Sequence, residues 1–351
     1  MRRSVRPCFT GGGYVYATGA AEIARRSGIE PVAYLASNEN PFPLPPVVLD
    51  AAILALGGVN RYPPEVPCSF LDALKKYHGD YHFAAGAGMD GVMETVLRIL
   101  VDPGERVVVA TPTFSFYGLA ARGQGAEVVP VKRAKDFSVD LEAFRRAMEG
   151  APLGFICSPN NPTGNATSPA DIASLLDRMD GVLFLDNAYV DFSDEDYRPL
   201  MKRYDNLVIG RTMSKISALA GLRIGYAFLP EWLEEPYRSA QTPFAVTAVA
   251  TAAAVAALGE QEWSDAYRDH VRTWRARYSR EIGHRVYPSQ ANFVLVDVAP
   301  YRSDEVTEAL ASRGVVVRSC RSFPDLEDHF IRVSIGEDWE NERLISEINR
   351  L

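Results

Sequence analysis

The chain reads as an α/β protein: a large domain with a mostly parallel sheet flanked by helices, followed by a smaller α+β domain. Three observations predict this. Short apolar runs alternate with amphipathic stretches across residues 45–262, the pattern changes in character over 263–351, and 351 residues correspond to about two domains. Residues 1–44 are irregular apart from a short helix over Ala20–Arg26, and are assigned to the smaller domain and the active site. In the large domain, Val107–Ala110, Glu127–Pro130, Gly154–Cys157, Val182–Leu185 and Leu207–Gly210 are short runs apolar at nearly every position. Continuous rather than alternating hydrophobicity marks strands buried on both faces, as parallel sheets require. Between them, Asp171–Met179 places Ile172, Leu175 and Leu176 at helical spacing. Gly86–Gly91 is a glycine loop opening a helix with Val92, Met93, Val96, Leu97 and Leu100 on its apolar side. Phe244–Leu258 is Ala-rich and shorter than the ~20 residues a membrane span needs, so it is expected to be a buried helix. The tail predicts a charged helix over Trp263–Glu281, a strand over Asn292–Val296, a helix over Asp304–Arg313, strands over Gly314–Arg318 and Phe330–Val333, and a last helix opened by Glu340.

Composition narrows the function. With 47% hydrophobic and 23% charged residues the chain is of ordinary globular type, and a net charge of −8 argues against nucleic acid or an anionic membrane as partner. Cys8, Cys68, Cys157 and Cys320 are widely spaced without a CxxC pair, and the five histidines have no HExxH spacing, so neither a disulfide framework nor a metal site is expected. No apolar stretch follows the basic residues of Met1–Arg6, so no signal peptide is read there and a cytoplasmic location is expected.

Four polar constellations fall at the ends of apolar strands: Thr212-Met213-Ser214-Lys215, Asp186-Asn187-Ala188-Tyr189, Asn160-Asn161-Pro162-Thr163-Gly164 and the glycine loop. The carboxyl ends of the strands are where open α/β sheets bind ligands. Gly86-Ala87-Gly88-Met89-Asp90-Gly91 matches a dinucleotide fingerprint literally, but the second strand ends in Thr111 where an acidic residue is required. What survives is an anion site at a helix N-terminus, most simply for a phosphate. A lysine, an aspartate, an aromatic residue, an asparagine and a phosphate cradle together suit pyridoxal 5′-phosphate. The lysine amine condenses with its aldehyde, and the carboxylate pairs with its ring nitrogen.

On these motifs the chain resembles the aspartate-aminotransferase superfamily with its type I fold. Within that superfamily it is most similar to the histidinol-phosphate aminotransferase group and its relative threonine-phosphate decarboxylase. The likeness extends from Tyr14 to about Leu344 and includes Arg61-Tyr62-Pro63, Ala36–Pro41 and Phe330–Gly336. The resemblance implies that Lys215 is the Schiff-base lysine and the acid/base at the substrate Cα. Asp186 would pair with the ring nitrogen, Asn161 and Tyr189 would bond the phenolate oxygen, and Phe114 would stack on the ring. Met89, Asp90, Thr212, Ser214 and Arg223 would hold the phosphate, joined by Tyr62 of a neighbouring subunit, which implies a homodimer with shared active sites. Arg332 would bind the substrate anion, with Arg318 and Tyr14 as further phosphate contacts and Asn38 near the substrate.

The implied activity is amino transfer between a small phosphorylated amine and the 2-oxoglutarate/glutamate pair. Two alternatives stay open: decarboxylation of threonine phosphate, which the Arg318 and Arg332 segments also resemble, and a binding protein that keeps the fold without catalysis. Asn187 and Gly91 stand where the family usually has Glu, Met89 where a small residue is common, and Phe114 where Tyr is frequent.

Overall fold

The computed structural model describes residues 5–6, 9–10, 13 and 15–351. Strand β1 (Ala33–Tyr34) precedes the seven strands of the large sheet: β2 (His82–Ala87), β3 (Arg106–Thr111), β4 (Glu127–Lys132), β5 (Leu153–Cys157), β6 (Val182–Asp186), β7 (Leu207–Thr212) and β8 (Ile224–Leu229). Their order is β2-β8-β7-β6-β5-β3-β4. Every pair from β4 to β7 is parallel, and β8 is antiparallel to both of its neighbours.

The inner strands are buried on both faces, which explains their unbroken apolar runs, whereas the run expected to be buried at Glu127–Pro130 is the edge strand β4, where Glu127 and Pro130 are exposed and Val128 and Val129 only half-buried because a single neighbour covers it. Along β6, Phe184 belongs to one core cluster while Leu183 and Leu185 belong to the other. Along β3, Val107 and Val109 alternate in the same way with Val108 and Ala110. The Ala-rich segment forms the helix Ala248–Ala257, whose Ala250, Ala253 and Ala254 are completely buried. Among the described residues no helix is long and apolar enough to cross a membrane.

Strands β2 and β8 went unread in the sequence because glycines interrupt them. Their spacing shows why glycine is needed. A Cβ at Gly225 would lie 2.4 Å from the backbone nitrogen of Met89, and Gly88 adopts φ +71°. The strand and the helix Gly88–Leu100 therefore touch backbone to backbone, bringing the helix N-terminus against the sheet edge. Gly225→Ala is expected to lose roughly 1–3 kcal/mol of stability, since the obstructing atom is backbone and cannot rotate away. A urea melt of the apoprotein would show this as a lower midpoint with unchanged slope.

After the helices Glu231–Ala240, Ala248–Ala257 and Gln261–Glu281 come β9 (Arg285–Val286), β10 (Phe293–Asp297), β11 (Val315–Val316), β12 (Arg318–Ser319) and β13 (Phe330–Ser334). Strands β12-β13-β10-β9 form an antiparallel sheet. The single strand expected over Gly314–Arg318 is two strands divided at Val317: β11 pairs in parallel with β1, and β12 turns to pair with β13. Residues near the N-terminus thus lie against the C-terminal part. Ala20 and Ala24 of the helix Thr18–Ser27 share a small core with Ala311 and Val316. The last helix runs Asp338–Ile348; Glu340 is its N3 residue, reaching back to the Glu337 N–H 2.8 Å away.

Candidate active site

A cavity of about 410 Å³ opens where the large sheet meets the β12–β13 edge of the small one. Asp186 is the last residue of β6, and Thr212 the last of β7 with Ser214 and Lys215 just beyond it. Asn161 follows β5, Phe114 follows β3, and Arg223 precedes the antiparallel β8, so its side chain arises at the same edge. Met89 and Asp90 come from the first turn of the helix Gly88–Leu100. All of these residues line the cavity, as do Tyr189, Asn38, Arg318 and Arg332 from its other sides. Two residues singled out in the sequence remain. Tyr14 lies outside the described residues. Tyr62 is 82% exposed and stacks on Phe244, with ring centroids 4.6 Å apart.

Lys215 Nζ donates to the Ser37 carbonyl at 3.2 Å and sits 5.8 Å from the centre of the Tyr189 ring. Burial, and then the positive charge of Arg332, push its amine down to about 8. Such an amine is substantially neutral at mild alkaline pH, as a nucleophile or a base must be. The Asp186 carboxyl is pushed up to about 6 by burial, against the opposing pull of hydrogen bonds from the Tyr117 hydroxyl and the Ala188 N–H.

On the phosphate-like side, Thr212 Oγ1 donates to Ser214 Oγ at 2.9 Å and accepts from the Ser214 N–H at 3.1 Å. Arg223 Nη2 is 3.0 Å from Asp90 Oδ2, and a Cβ at Gly88 would come within 2.8 Å of the same guanidinium nitrogen. Hydroxyls, a guanidinium paired with the Asp90 carboxylate and the start of a helix therefore converge, with no Cβ at Gly88 to crowd the guanidinium.

Arg332 Nη1 donates to Asn161 Oδ1 at 2.6 Å and Nη2 to the Ala36 carbonyl, while its buried Nε has no partner. Both acceptors are neutral. Asn161 thereby commits its oxygen to Arg332 and keeps its amide nitrogen as the end that donates. Arg318 and Arg332 lie directly opposite each other across β12 and β13, both buried. Like charges in that register repel, and an anion between them removes the cost. Asn38, at φ +53°, donates from Nδ2 to the Tyr189 hydroxyl at 3.1 Å and accepts at Oδ1 from Ser334 Oγ at 3.0 Å.

The two positions where the family usually has Glu, Asn187 and Gly91, lie off the cavity. Asn187 donates to the Ser158 carbonyl at 2.7 Å beneath the strand ends, and Gly91 faces Ala87. Tyr117 and the carbonyls of Ala36 and Ser37 contribute to the site without having been read in the sequence. The carbonyls carry no residue-type signal. The hydroxyl of Tyr117 reaches a residue 69 positions away. Among the described residues no cluster of side chains suits a metal ion.

An Arg332→Leu variant tests the electrostatics directly. Removing that charge is expected to raise the Lys215 midpoint above about 8. The pH dependence of acylation at position 215 in the apoprotein, followed by peptide mapping, would show the shift; an unchanged midpoint would refute the coupling.

A half-buried amine, a buried carboxylate and an anion cradle at one sheet edge make the donor set that pyridoxal 5′-phosphate requires, and thus define the class of enzyme built on that cofactor. The chain belongs to the aminotransferase class I and II family, whose model matches residues 30–348. It is 60% identical, over the full length of both chains, to the histidinol-phosphate aminotransferase of Methanoculleus marisnigri, and 54% identical over both full lengths to that of Methanosphaerula palustris. Among solved structures, the histidinol-phosphate aminotransferase of Sinorhizobium meliloti in complex with pyridoxal-5′-phosphate superimposes with a TM-score of 0.88 at 26% identity, covering 99% of this chain and 96% of that one.

Proposed function

We propose that the chain is a transaminase of the histidinol-phosphate type, moving an amino group between a small phosphorylated amine and 2-oxoglutarate. The carrying observation is the 60% identity spanning the whole of both chains. The facing pair Arg318 and Arg332 supports it, since a phosphate on one substrate and a carboxylate on the other both suit a fork of guanidinium donors.

In this reading Ser214, Thr212, Arg223 and the helix N-terminus at Met89 and Asp90 hold the cofactor phosphate, Asp186 faces the ring nitrogen, Asn161 and Tyr189 face the phenolate oxygen, and Phe114 covers the ring. When bound, pyridoxal phosphate supplies an aldehyde to capture amines and a ring that withdraws electrons from the substrate Cα. Lys215 gives up its bond to the Ser37 carbonyl, takes the Cα proton and would deliver it to the former aldehyde carbon of the cofactor rather than back to Cα. Its lowered basicity allows both directions near neutral pH. Arg332 and Arg318 fix the anionic end of the substrate, while Asn38 holds the Tyr189 ring in place.

Tyr62 is read as reaching the phosphate of a second subunit. Its exposure, and the exposed Leu49, Ile53, Leu54 and Leu56 of the helix Pro46–Leu56, support a homodimer. Mixing Lys215→Ala chains with Tyr62→Phe chains is then expected to restore part of the activity, because each hybrid retains one intact site.

Incubation with histidinol phosphate and 2-oxoglutarate tests the reaction. Glutamate formed in equal amount to the amine consumed supports it. Carbon dioxide release from threonine phosphate, or no turnover of either compound, would overturn it.

A further inference from the structure

We propose that the Tyr117 hydroxyl is a positioning group for the cofactor, acting through Asp186. This rests on the reading that Asp186 faces the pyridine nitrogen. Tyr117 lies in the first turn of the helix Phe116–Gln124 and is completely buried. Its ring lies flat on Phe155, with centroids 5.0 Å apart and planes 5° from parallel, and meets Phe114 edge-on at 5.6 Å. Clamped on two sides, the ring aims its hydroxyl at the ends of β5 and β6, where it lies beside the Cys157 thiol and donates to Asp186 Oδ2. Asp186 Oδ1 accepts from the Ala188 N–H at 2.9 Å. The carboxylate is therefore held at one oxygen by its own strand-end turn and at the other by a separate helix, which fixes its plane.

A bond from a buried hydroxyl to an ionised carboxylate is of the strong, charge-assisted kind. It favours the charged form against the burial that opposes it. The other ionisable groups around the pair are Asp90 on the helix Gly88–Leu100, Lys215 after β7, Cys157 at the end of β5 and Arg133 after β4. Tyr117, rather than any of these, donates a side-chain hydrogen bond to Asp186. Phe114 and Tyr117 are three positions apart on one rigid segment, so the residue covering the cofactor ring and the one orienting its counter-charge are placed by the same backbone.

Tyr117→Phe removes the oxygen and keeps the packed ring, which separates this role from mere filling of the core. In the holoenzyme variant, cofactor dissociation on dilution is expected to increase roughly tenfold, and kcat to fall by a similar factor with KM for the amine unchanged. In an Asp186→Asn background the same substitution should change cofactor retention less than about twofold, because the acceptor charge is already gone. Retention and kcat within twofold of the parent, or an undiminished effect in the Asp186→Asn background, would overturn the proposal. Borohydride reduction of the parent and peptide mapping distinguish the two levels. No pyridoxyl label at Lys215 overturns the cofactor reading and the proposal with it, whereas a labelled parent beside an indifferent Tyr117→Phe overturns Tyr117 alone. Neither result depends on which amine is the substrate.

Discussion

Lys215→Ala is expected to lower amino transfer by at least about 10⁴-fold while leaving the fold intact. Two functions are lost at once. The amine is the nucleophile of the cavity, and it is the base placed beside the bond to be broken. Among the described residues no other lysine lines the cavity to replace it. The single hydrogen bond given up, to the Ser37 carbonyl at its rim, is of the kind worth only about 1 kcal/mol, so the variant should melt within a few degrees of the parent. Lys215→Arg is expected to be as inactive as the alanine. A guanidinium stays protonated at every accessible pH, whereas the amine in the cavity is pushed down to about 8 and can shed its proton. Steady-state rates with thermal melts of both variants check this. An arginine variant with more than about one hundredth of the parental rate would show that proton transfer at position 215 is not needed.

The parts of this site that could be read from the chain are those that local pattern determines. Val182–Leu185 is apolar at every position, and only a strand covered on both sides accepts that, so the polar residue ending it has to fall at the sheet edge. The same logic places Ser214 and Lys215 beyond Leu207–Thr212. Strands β2 and β8 escaped because Gly86 and Gly225 break the apolar run. Their glycines answer to the neighbouring helix rather than to the strand, and that proximity is absent from any local window. The split of β11 from β12 at Val317 was illegible for a related reason: all of Val315, Val316 and Val317 are buried, but against different partners. Tyr117 shows the limit most clearly. Beside Phe114 and Phe116 it reads as one more core aromatic, and it is one; the tertiary approach of β6 is what gives its hydroxyl a carboxylate acceptor.

Asp186→Asn is the second large effect, expected to cut kcat by roughly 10²–10³-fold, the range for removing one preorganised charge from a water-poor site. The substitution is nearly isosteric, and the amide oxygen can still accept from Tyr117 or Ala188, so the loss reports charge rather than packing. The pH dependence gives the sharper readout. In the free protein burial pushes the Asp186 carboxyl up to about 6 in spite of the nearby Lys215 charge, and a further positive group beside it pulls that value down again. A group that is more acidic when the cofactor is bound favours binding fully above its free value and loses that contribution as pH falls through it. Cofactor affinity of the parent apoprotein should therefore be greatest above about pH 6 and weaken below it, whereas the asparagine variant should bind weakly with no inflection in that window. Equilibrium dialysis of both proteins between pH 5 and pH 8 resolves the two curves. An inflection near 6 that persists in the asparagine variant would assign the titration to another group and remove Asp186 as the counter-charge.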